Sequence, residues 1–504
     1  MSDASPPVTP PDPAVKGGGS NPWARRTFAL VVCMIAASVV YGPIAGYVYP
    51  EYSDFAVPLR DIGLGDVIGK YFGIGQGFYR PTTNYLLPWL LHLDYFEPAR
   101  QTVVTIAMFA LAAWSLTLFA REGSALAYAA GALTVLMAPA LYLEAYGAIV
   151  DSLYVLLAAL FILALHKLYV DPGTGARRWL MVGVTVVAFL LMLTAKEINA
   201  MVPFIAVPLL VVMADRCTPR GILQAIKLAA PFMGASLIFV ITYVAFGPEG
   251  GGVYSTSPNL GRLPATMDLL AWATGFRWEG TEYPGWIPQW GPGYARAPAI
   301  LLGATALGAI LLWRELKPTR IAIYLGTTVA IAAAIASVGG LPHHTFPVVM
   351  MYGGAVMAVA TVAVRRLREL ESPLPTAGLA VGMALLCALL ITNGYSRFED
   401  ALYRGPHTPY LTASTELFRG SALAPVRKAY DPLLIFEDCL GALHDPLRFY
   451  ARAPSGSAIS TPAFKIEEQL PAIRAAQQAG RPVFVARCTG TGDPWYRVDR
   501  LRAG

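Results

Sequence analysis

Charge is what this chain has least of. Only 14% of its 504 residues are Asp, Glu, Lys or Arg, and 55% are hydrophobic. A soluble domain is nearer a quarter charged, so the composition excludes an ordinary soluble enzyme and indicates a membrane protein. The net charge of +6 gives no case for a nucleic-acid partner, because the basic residues are scattered between apolar spans. Residues Met1 to Pro22 are rich in Pro, Gly and Ser and lack the ordered n-region and h-region of a cleaved signal peptide. They read as a disordered cytoplasmic tail, with the first span as an uncleaved anchor. There is no internal repeat of the kind that the related halves of a transporter would leave. Cysteine is also scarce: there are five. Cys33 and Cys387 fall in spans and Cys217 on the inner side, and all three read as unpaired.

What the sequence has in abundance is apolar length. A bilayer core of roughly 30 Å takes about 20 apolar residues in a helix. Windows of that kind fall at 27–48, 102–120, 124–142, 148–169, 179–195, 198–214, 223–246, 298–313, 320–338, 347–364 and 376–393. The expectation is a polytopic α-helical membrane protein with about 11 transmembrane helices. Lys and Arg in the short loops set its direction. With the N-terminus inside, the inner segments carry Arg25 and Arg26; Arg121; Lys167, Arg177 and Arg178; Arg216 and Arg220; Arg314, Lys317 and Arg320; and Arg365, Arg366 and Arg368. The tight outer turns around Glu144 and Pro342 have no Lys or Arg, and the turn near 196 has one Lys. An odd count leaves the C-terminus outside. The expected division is a tail at 1–26, a transmembrane domain at 27–394 and a small extracytoplasmic α/β domain at 395–504. Long outer loops lie at 49–100 and 247–297. The Ala/Gly/Arg-rich usage suits a bacterial inner membrane.

Ionisable groups recur where spans meet the outer face: Asp54, Arg80, Glu144, Asp151, the pair Lys196-Glu197, and His343-His344. The span count alone sets them at one depth. Each has a plain role beside a sharper one. Asp54 is one of four loop acids, with Glu51, Asp61 and Asp66. Arg80 can anchor an interfacial helix by snorkelling. Lys196 and Glu197 can pair with each other or cap helix ends. Asp151 opens an apolar run, where a charge is expensive unless it faces the bundle interior or water; a buried structural hydrogen bond would satisfy it. The two histidines have no Asp or Cys at ligand spacing, which is poor ground for zinc. Taken together, a carboxylate and an arginine at a bilayer surface suit one chemistry. The acid takes a proton from an acceptor hydroxyl, and the guanidinium holds the phosphate of a lipid-linked donor.

Two outer segments look built to lie on the membrane. In 79–96, Leu86, Leu87, Leu90 and Leu91 recur with Tyr85 and Trp89, as in an interfacial helix. The loop 247–297 has Gly250-Gly251-Gly252, then Met267 to Trp272, then Trp278, Tyr283, Trp286, Trp290 and Tyr294 among prolines and glycines. These are either belt aromatics or a lid that stacks on sugar faces.

The order of these motifs resembles the GT-C superfamily of polyprenyl-phosphate-dependent glycosyltransferases. The likeness is to the branch of protein O-mannosyltransferases and their transmembrane relatives with TPR tails. Tyr52-Ser53-Asp54 is similar to that family's first-loop acidic motif, with Ser53 in place of the first acid. Tyr79-Arg80-Pro81 matches its Tyr-Arg-Pro box. Pro139, Glu144, Asp151 and Leu153 match its next stretch, and Ala195-Lys196-Glu197 with Pro203 its Lys-Glu pair. The match covers roughly residues 27 to 215; no TPR repeat is present, and Tyr352-Gly353-Gly354 is a fainter echo. The resemblance implies a GT-C-like fold and an inverting transfer from a polyprenyl-phosphate-linked sugar to an extracytoplasmic hydroxyl on a protein, glycan or lipid. It implies Asp54 as general base and Arg80 and Lys196 as donor-phosphate ligands; Tyr79, Glu144, Asp151, Glu197, His343 and His344 are read as supporting residues at the same outer ends of the spans. Metal is left open: with Ser53 at the first acid position, a divalent cation and its absence both fit. A flippase for lipid-linked saccharide and a non-catalytic envelope assembly protein are the rival readings.

After the last window, Leu433 to Phe436 and Val483 to Val485 read as buried strands. Phe464 to Gln478 reads as a helix with Ile466, Leu470, Ile473 and Ala476 on one stripe. Cys439 and Cys488, near the strand ends, suit either a disulfide outside the cytoplasm or two buried thiols.

Overall fold

The computed structural model describes residues 21–46, 63–72, 80–91, 98–120, 123–141, 149–246, 259–275, 296–337, 342–369, 373–404, 424–430, 432–436, 459–462, 470–488 and 496–501. The N-terminal tail, Asp54, Tyr79, Glu144, Cys439 and most of the loop 247–297 lie outside these residues.

The helices run α1 (Pro22–Tyr41), α2 (Leu64–Lys70), α3 (Leu87–Leu90), α4 (Pro98–Ser115), α5 (Ala125–Leu136), α6 (Ile149–Val170), α7 (Gly175–Leu193), α8 (Val202–Met213), α9 (Pro219–Phe246), α10 (Ala265–Ala273), α11 (Arg296–Leu311), α12 (Trp313–Leu316), α13 (Pro318–Ser337), α14 (Phe346–Arg368) and α15 (Pro373–Arg404). Among the described residues, eight helices are long and apolar enough to cross a bilayer. The third, sixth and eighth windows hold shorter apolar helices instead, Ala125–Leu136, Glu197–Met213 and Arg296–Leu311.

Local chemistry accounts for the shortening. α5 stops ahead of Pro139, because a residue preceding proline is pushed out of the helical region; Pro139–Leu141 then forms one tight turn. α8 is preceded by a 3-10 turn, Glu197–Met201, and takes Pro203 in its first turn, where the missing N–H costs nothing. α11 ends at a bend at Leu312 (φ −105°, ψ 20°). α15 does the opposite. It runs on through Arg404, past the boundary expected at 395, because Phe398 is buried and its ring meets Tyr41 edge-on at 4.9 Å.

Lipid offers no hydrophobic drive between helices, so close backbone approach and interhelical hydrogen bonds must hold the bundle. Gly131 on α5 faces Gly353 on α14. A Cβ on Gly353 would sit 2.7 Å from the Gly131 carbonyl and 2.6 Å from Val135 Cγ2. Two aromatic clusters fill the wider gaps. Tyr41, Phe109, Phe346 and Phe398 join α1, α4, α14 and α15. Phe161, Phe189 and Phe232 join α6, α7 and α9 at centroid distances of 5.1–5.6 Å.

At the basic end, cations close helix termini against backbone carbonyls. Arg25 donates to the Gly123 carbonyl at 3.0 Å and Arg26 to that of Ala120 at 2.9 Å, and Trp114 Nε1 donates to the Arg26 carbonyl at 2.9 Å. Arg216 donates to the Tyr169 carbonyl, Arg320 to that of Val212, and Lys317 pairs with Asp215. The loops singled out by their basic residues therefore meet one another in space. Exposed Trp23, Trp179 and Trp313 sit at the same end, as interface-anchoring aromatics do.

The C-terminal part is α/β. After α16 (Ala424–Lys428) come β1 (Leu433–Phe436), β2 (Ile459–Pro462), α17 (Leu470–Gln478), β3 (Val483–Cys488) and β4 (Tyr496–Leu501). The sheet order is β2-β1-β3-β4, with β1 parallel to both β2 and β3 and β4 antiparallel to β3. Ile473 and Ala476 of α17 pack on Leu433, Ile435, Val483 and Val485. β1, β3 and the end of the helix fall where the apolar pattern predicts them; β2 and β4 are additions. Cys33, Cys217 and Cys387 are free thiols.

Candidate functional site

The residues Arg80 to Leu91 do not wind as an ordinary helix. Thr82–Leu86 is a π-turn, closed by the Leu87 N–H donating to the Thr82 carbonyl. Pro88 supplies a reason: it has no N–H for the Asn84 carbonyl, which favours wider winding just before it. Within the described residues the stretch is helical over Thr82–Leu90, with a widened first half.

This turn is bonded along its length to the corner after α7. The Thr82 N–H donates to the Thr194 carbonyl at 3.2 Å, and Thr83 Oγ1 donates to that of Ala195 at 2.8 Å. The hydroxyls form a chain whose direction can be worked out. Each carries one proton. Thr194 Oγ1 donates to the Leu190 carbonyl at 2.7 Å, so it must accept from Thr82 Oγ1 at 2.7 Å, which in turn accepts from the Tyr71 hydroxyl at 2.8 Å. Burial pushes the Tyr71 phenol above its ordinary pKa, against smaller opposing effects of Thr82 and Thr194, so it keeps the proton it donates.

Arg80 and Glu197, 117 residues apart, meet at this corner. Arg80 Nε donates to Oε2 at 2.9 Å and Nη2 to Oε1 at 2.6 Å. This is the two-pronged pairing that only a planar guanidinium makes with a carboxylate. The side chains are 11% and 28% exposed. Burial works against the charged carboxyl, but Arg80, and secondarily Lys196, bring its pKa below the usual value. Lys196 is 3% exposed, and its ammonium lies 4.9 Å from the ring centre of Tyr154, over the face. A buried ammonium on an aromatic face is stabilised by the ring quadrupole. Asn199 closes the corner from below, its amide donating to the Met192 carbonyl at 2.6 Å.

The structure thus brings Arg80, Lys196 and Glu197 together. Glu197 pairs with Arg80, while the extended backbone at Lys196 sends neighbouring side chains to opposite sides. Asp151 sits on α6 one turn before Tyr154. His344 is buried in the turn Pro342–Thr345, which packs against α10 and the turn Pro139–Leu141; His343 shares that turn. Tyr154, Thr82, Thr83, Thr194 and Tyr71 were not singled out by sequence. A Thr-Thr-Asn run beside the Tyr-Arg-Pro box was the available signal for two of them; nothing local marks the rest. Among the described residues no group of three or more His, Cys, Asp or Glu side chains is placed to hold a metal ion.

No protein-family model matches the chain, and no curated protein matches it either. Solved structures do. One is ArnT from Cupriavidus metallidurans bound to undecaprenyl phosphate, at 15% identity over 94% of each chain, with a TM-score of 0.48. The apo state of the same protein matches at 14% identity over 93% of each chain, TM-score 0.45. The apo oligosaccharyltransferase of Archaeoglobus fulgidus matches at 12% identity over 92% of this chain and 69% of that one, TM-score 0.43. Likeness at this level leaves function to be argued from the site.

Proposed function

We propose that this chain is a membrane glycosyltransferase that moves a sugar from a polyprenyl-phosphate donor to an extracytoplasmic hydroxyl, with inversion. The observation that carries the reading is the convergence of Arg80, Lys196 and Glu197, from segments more than a hundred residues apart, at a corner where membrane-length helices end. Among the described residues the corner sets two cations, Arg80 and Lys196, beside one anion, Glu197, and such cations suit an anionic leaving group. In such a transfer the departing polyprenyl phosphate accumulates charge, and fixed cations placed beforehand stabilise it as it forms. Glu197 orients Arg80, and Tyr154 holds the Lys196 ammonium. Asp54, in the same outer loop as Arg80, is assigned as the general base that takes the acceptor's proton. The donor class agrees with the ligand of the ArnT structure. The acceptor is a protein, glycan or lipid hydroxyl, and the setting a bacterial inner membrane.

The test is transfer from a polyprenyl-phosphate sugar by the purified protein. Asp54→Asn is expected to abolish transfer and leave expression and thermal stability unchanged; wild-type turnover in that variant would remove Asp54 from the mechanism. Arg80→Ala is expected to raise the donor dissociation constant. Mass spectrometry of envelope glycolipids and glycoproteins from a deletion strain would identify the product lost.

A further inference from the structure

The small sheet at the C-terminal end carries a charge arrangement that the transferase reading does not use. Among the described residues from α17 onward there are five arginines, Arg474, Arg481, Arg487, Arg497 and Arg500, against one acid, Asp499. Register forces two of these arginines together. β3 and β4 are antiparallel, and Arg487 stands directly opposite Arg497. Cβ atoms so placed are about 4.5–5.5 Å apart, and like charges there destabilise the pairing.

Parity fixes the face. Val483 and Val485 pack with Leu501 under α17, and alternate residues of a strand share a side. Arg487, Arg497 and Asp499 therefore lie on the α17 side of the sheet. The cover ends between Val485, which is fully buried, and Arg487, which is exposed. Arg497 Nε donates to Asp499 Oδ1 at 2.9 Å along its own strand, so Asp499 answers one guanidinium. Arg487 has no hydrogen-bond or ion-pair partner among the described residues. The place of the pair in the sheet adds to this. In the order β2-β1-β3-β4, the chain leaves β1 toward β2 on one side and β3 toward β4 on the other. Open α/β sheets bind ligands at the carboxyl ends of strands whose connections part in this way. β1 ends at Phe436, opposite Ala486, and Arg487 is the next residue along β3. The two arginines thus stand at that carboxyl edge.

We infer that Arg487 and Arg497 form a binding site for a phosphate group. Each guanidinium presents a planar fork that fits phosphate through two parallel hydrogen bonds. A phosphate has oxygens enough to meet both forks, whereas one fork already fills the two oxygens of a carboxylate. An anion seated between the arginines turns their repulsion into attraction. The phosphate is that of a soluble ester or of a lipid headgroup, and the chemistry recognised is the same. The site is separate from the corner at Arg80 and does not depend on the transferase reading.

The experiment is amide hydrogen exchange of the full-length protein in phosphatidylcholine nanodiscs, followed on peptides that span β3 and β4. The additions are chloride at matched ionic strength, glycerol 3-phosphate, and phosphatidic acid built into the nanodisc. Exchange in these strands is expected to slow about tenfold when glycerol 3-phosphate stands at ten times its dissociation constant. Slowing by phosphatidic acid alone would make the source a lipid headgroup. Arg487→Gln is expected to cut the slowing to less than twofold, and in chloride to exchange no faster than wild type because the repelling pair is gone. Arg80→Ala is expected to keep the full response. No slowing by either phosphate would overturn the site, and so would slowing that persists in Arg487→Gln. Faster exchange of Arg487→Gln in chloride would also overturn it, since Arg487 would then be holding the sheet together. Should the Gln variant not fold, Arg487→Lys keeps the charge without the fork and is expected to respond more weakly than wild type; an equal response would count against the site.

Discussion

The Arg80–Glu197 pair makes the most direct demand on the structure. Truncating either partner leaves the other's charge in a pocket that was shaped to neutralise it. Removing one member of a fully buried pair costs about 3–5 kcal/mol. Glu197 is more than a quarter exposed, so water recovers part of that loss and the expected cost of Glu197→Ala is about 2–3 kcal/mol. Glu197→Gln keeps one acceptor oxygen for the fork and is expected to lose about half as much. The clean measurement is a double-mutant cycle of Arg80→Ala, Glu197→Ala and the double variant, followed by unfolding in mild detergent. The coupling energy is expected at about 1.5–3 kcal/mol, since directly paired groups are far from additive. A coupling below about 0.5 kcal/mol, within the spread for independent sites, would refute the claim that Glu197 holds Arg80. A polyprenyl-phosphate titration on the same four proteins separates roles. If Glu197 orients Arg80 for the phosphate, Glu197→Gln weakens binding in spite of its added positive charge; tighter binding would mean that Glu197 only competes with the ligand.

Two further outcomes follow from the same coordinates. Because Glu197 has a folded pKa below its unfolded value, its contribution is fully present above the ordinary Glu pKa of about 4.3 and is lost as pH falls through the folded value; a pH series of the cycle should show constant coupling through the neutral range and a decline only in acid. Gly353→Ala should destabilise by about 1–3 kcal/mol or more, because the new methyl meets a backbone carbonyl that cannot swing aside. Gly382→Ala in α15, where a Cβ meets nothing within 4 Å, should be neutral or slightly stabilising, and equal melting of the two variants would remove the close α5–α14 crossing.

What the sequence disclosed and what it withheld divide along physical lines. Apolar length is a local property, so the membrane-length helices stand where the windows predict them, and the loops marked by basic residues gather at one end of the bundle. Pro139 and the bend at Leu312 shorten two of the windows, and only the first of these is visible as a residue type. In the C-terminal part, Leu433–Phe436 and Val483–Val485 announce themselves by uninterrupted apolar character. β4 does not: Arg497, Asp499 and Arg500 interrupt it, and it exists because β3 offers it a ladder of backbone hydrogen bonds. The site divides the same way. Arg80, Lys196 and Glu197 could be nominated by type and position. That Arg80 would choose Glu197, or that Lys196 would rest on Tyr154, depends on how α6, α7 and the π-turn pack, and no local pattern encodes it.

The ties at the basic end bear on how such a chain is assembled. Arg25 closes on Gly123, and Arg26 on Ala120, across 98 and 94 residues of sequence. At a synthesis rate of about 5–20 residues per second, the first helix leaves the ribosome roughly 5–20 seconds before its docking partners exist. During that interval it waits in the lipid, alone until α4, which packs on it through Phe109 and Trp114, follows it, and the chaperoning of that wait falls to whatever machinery receives it.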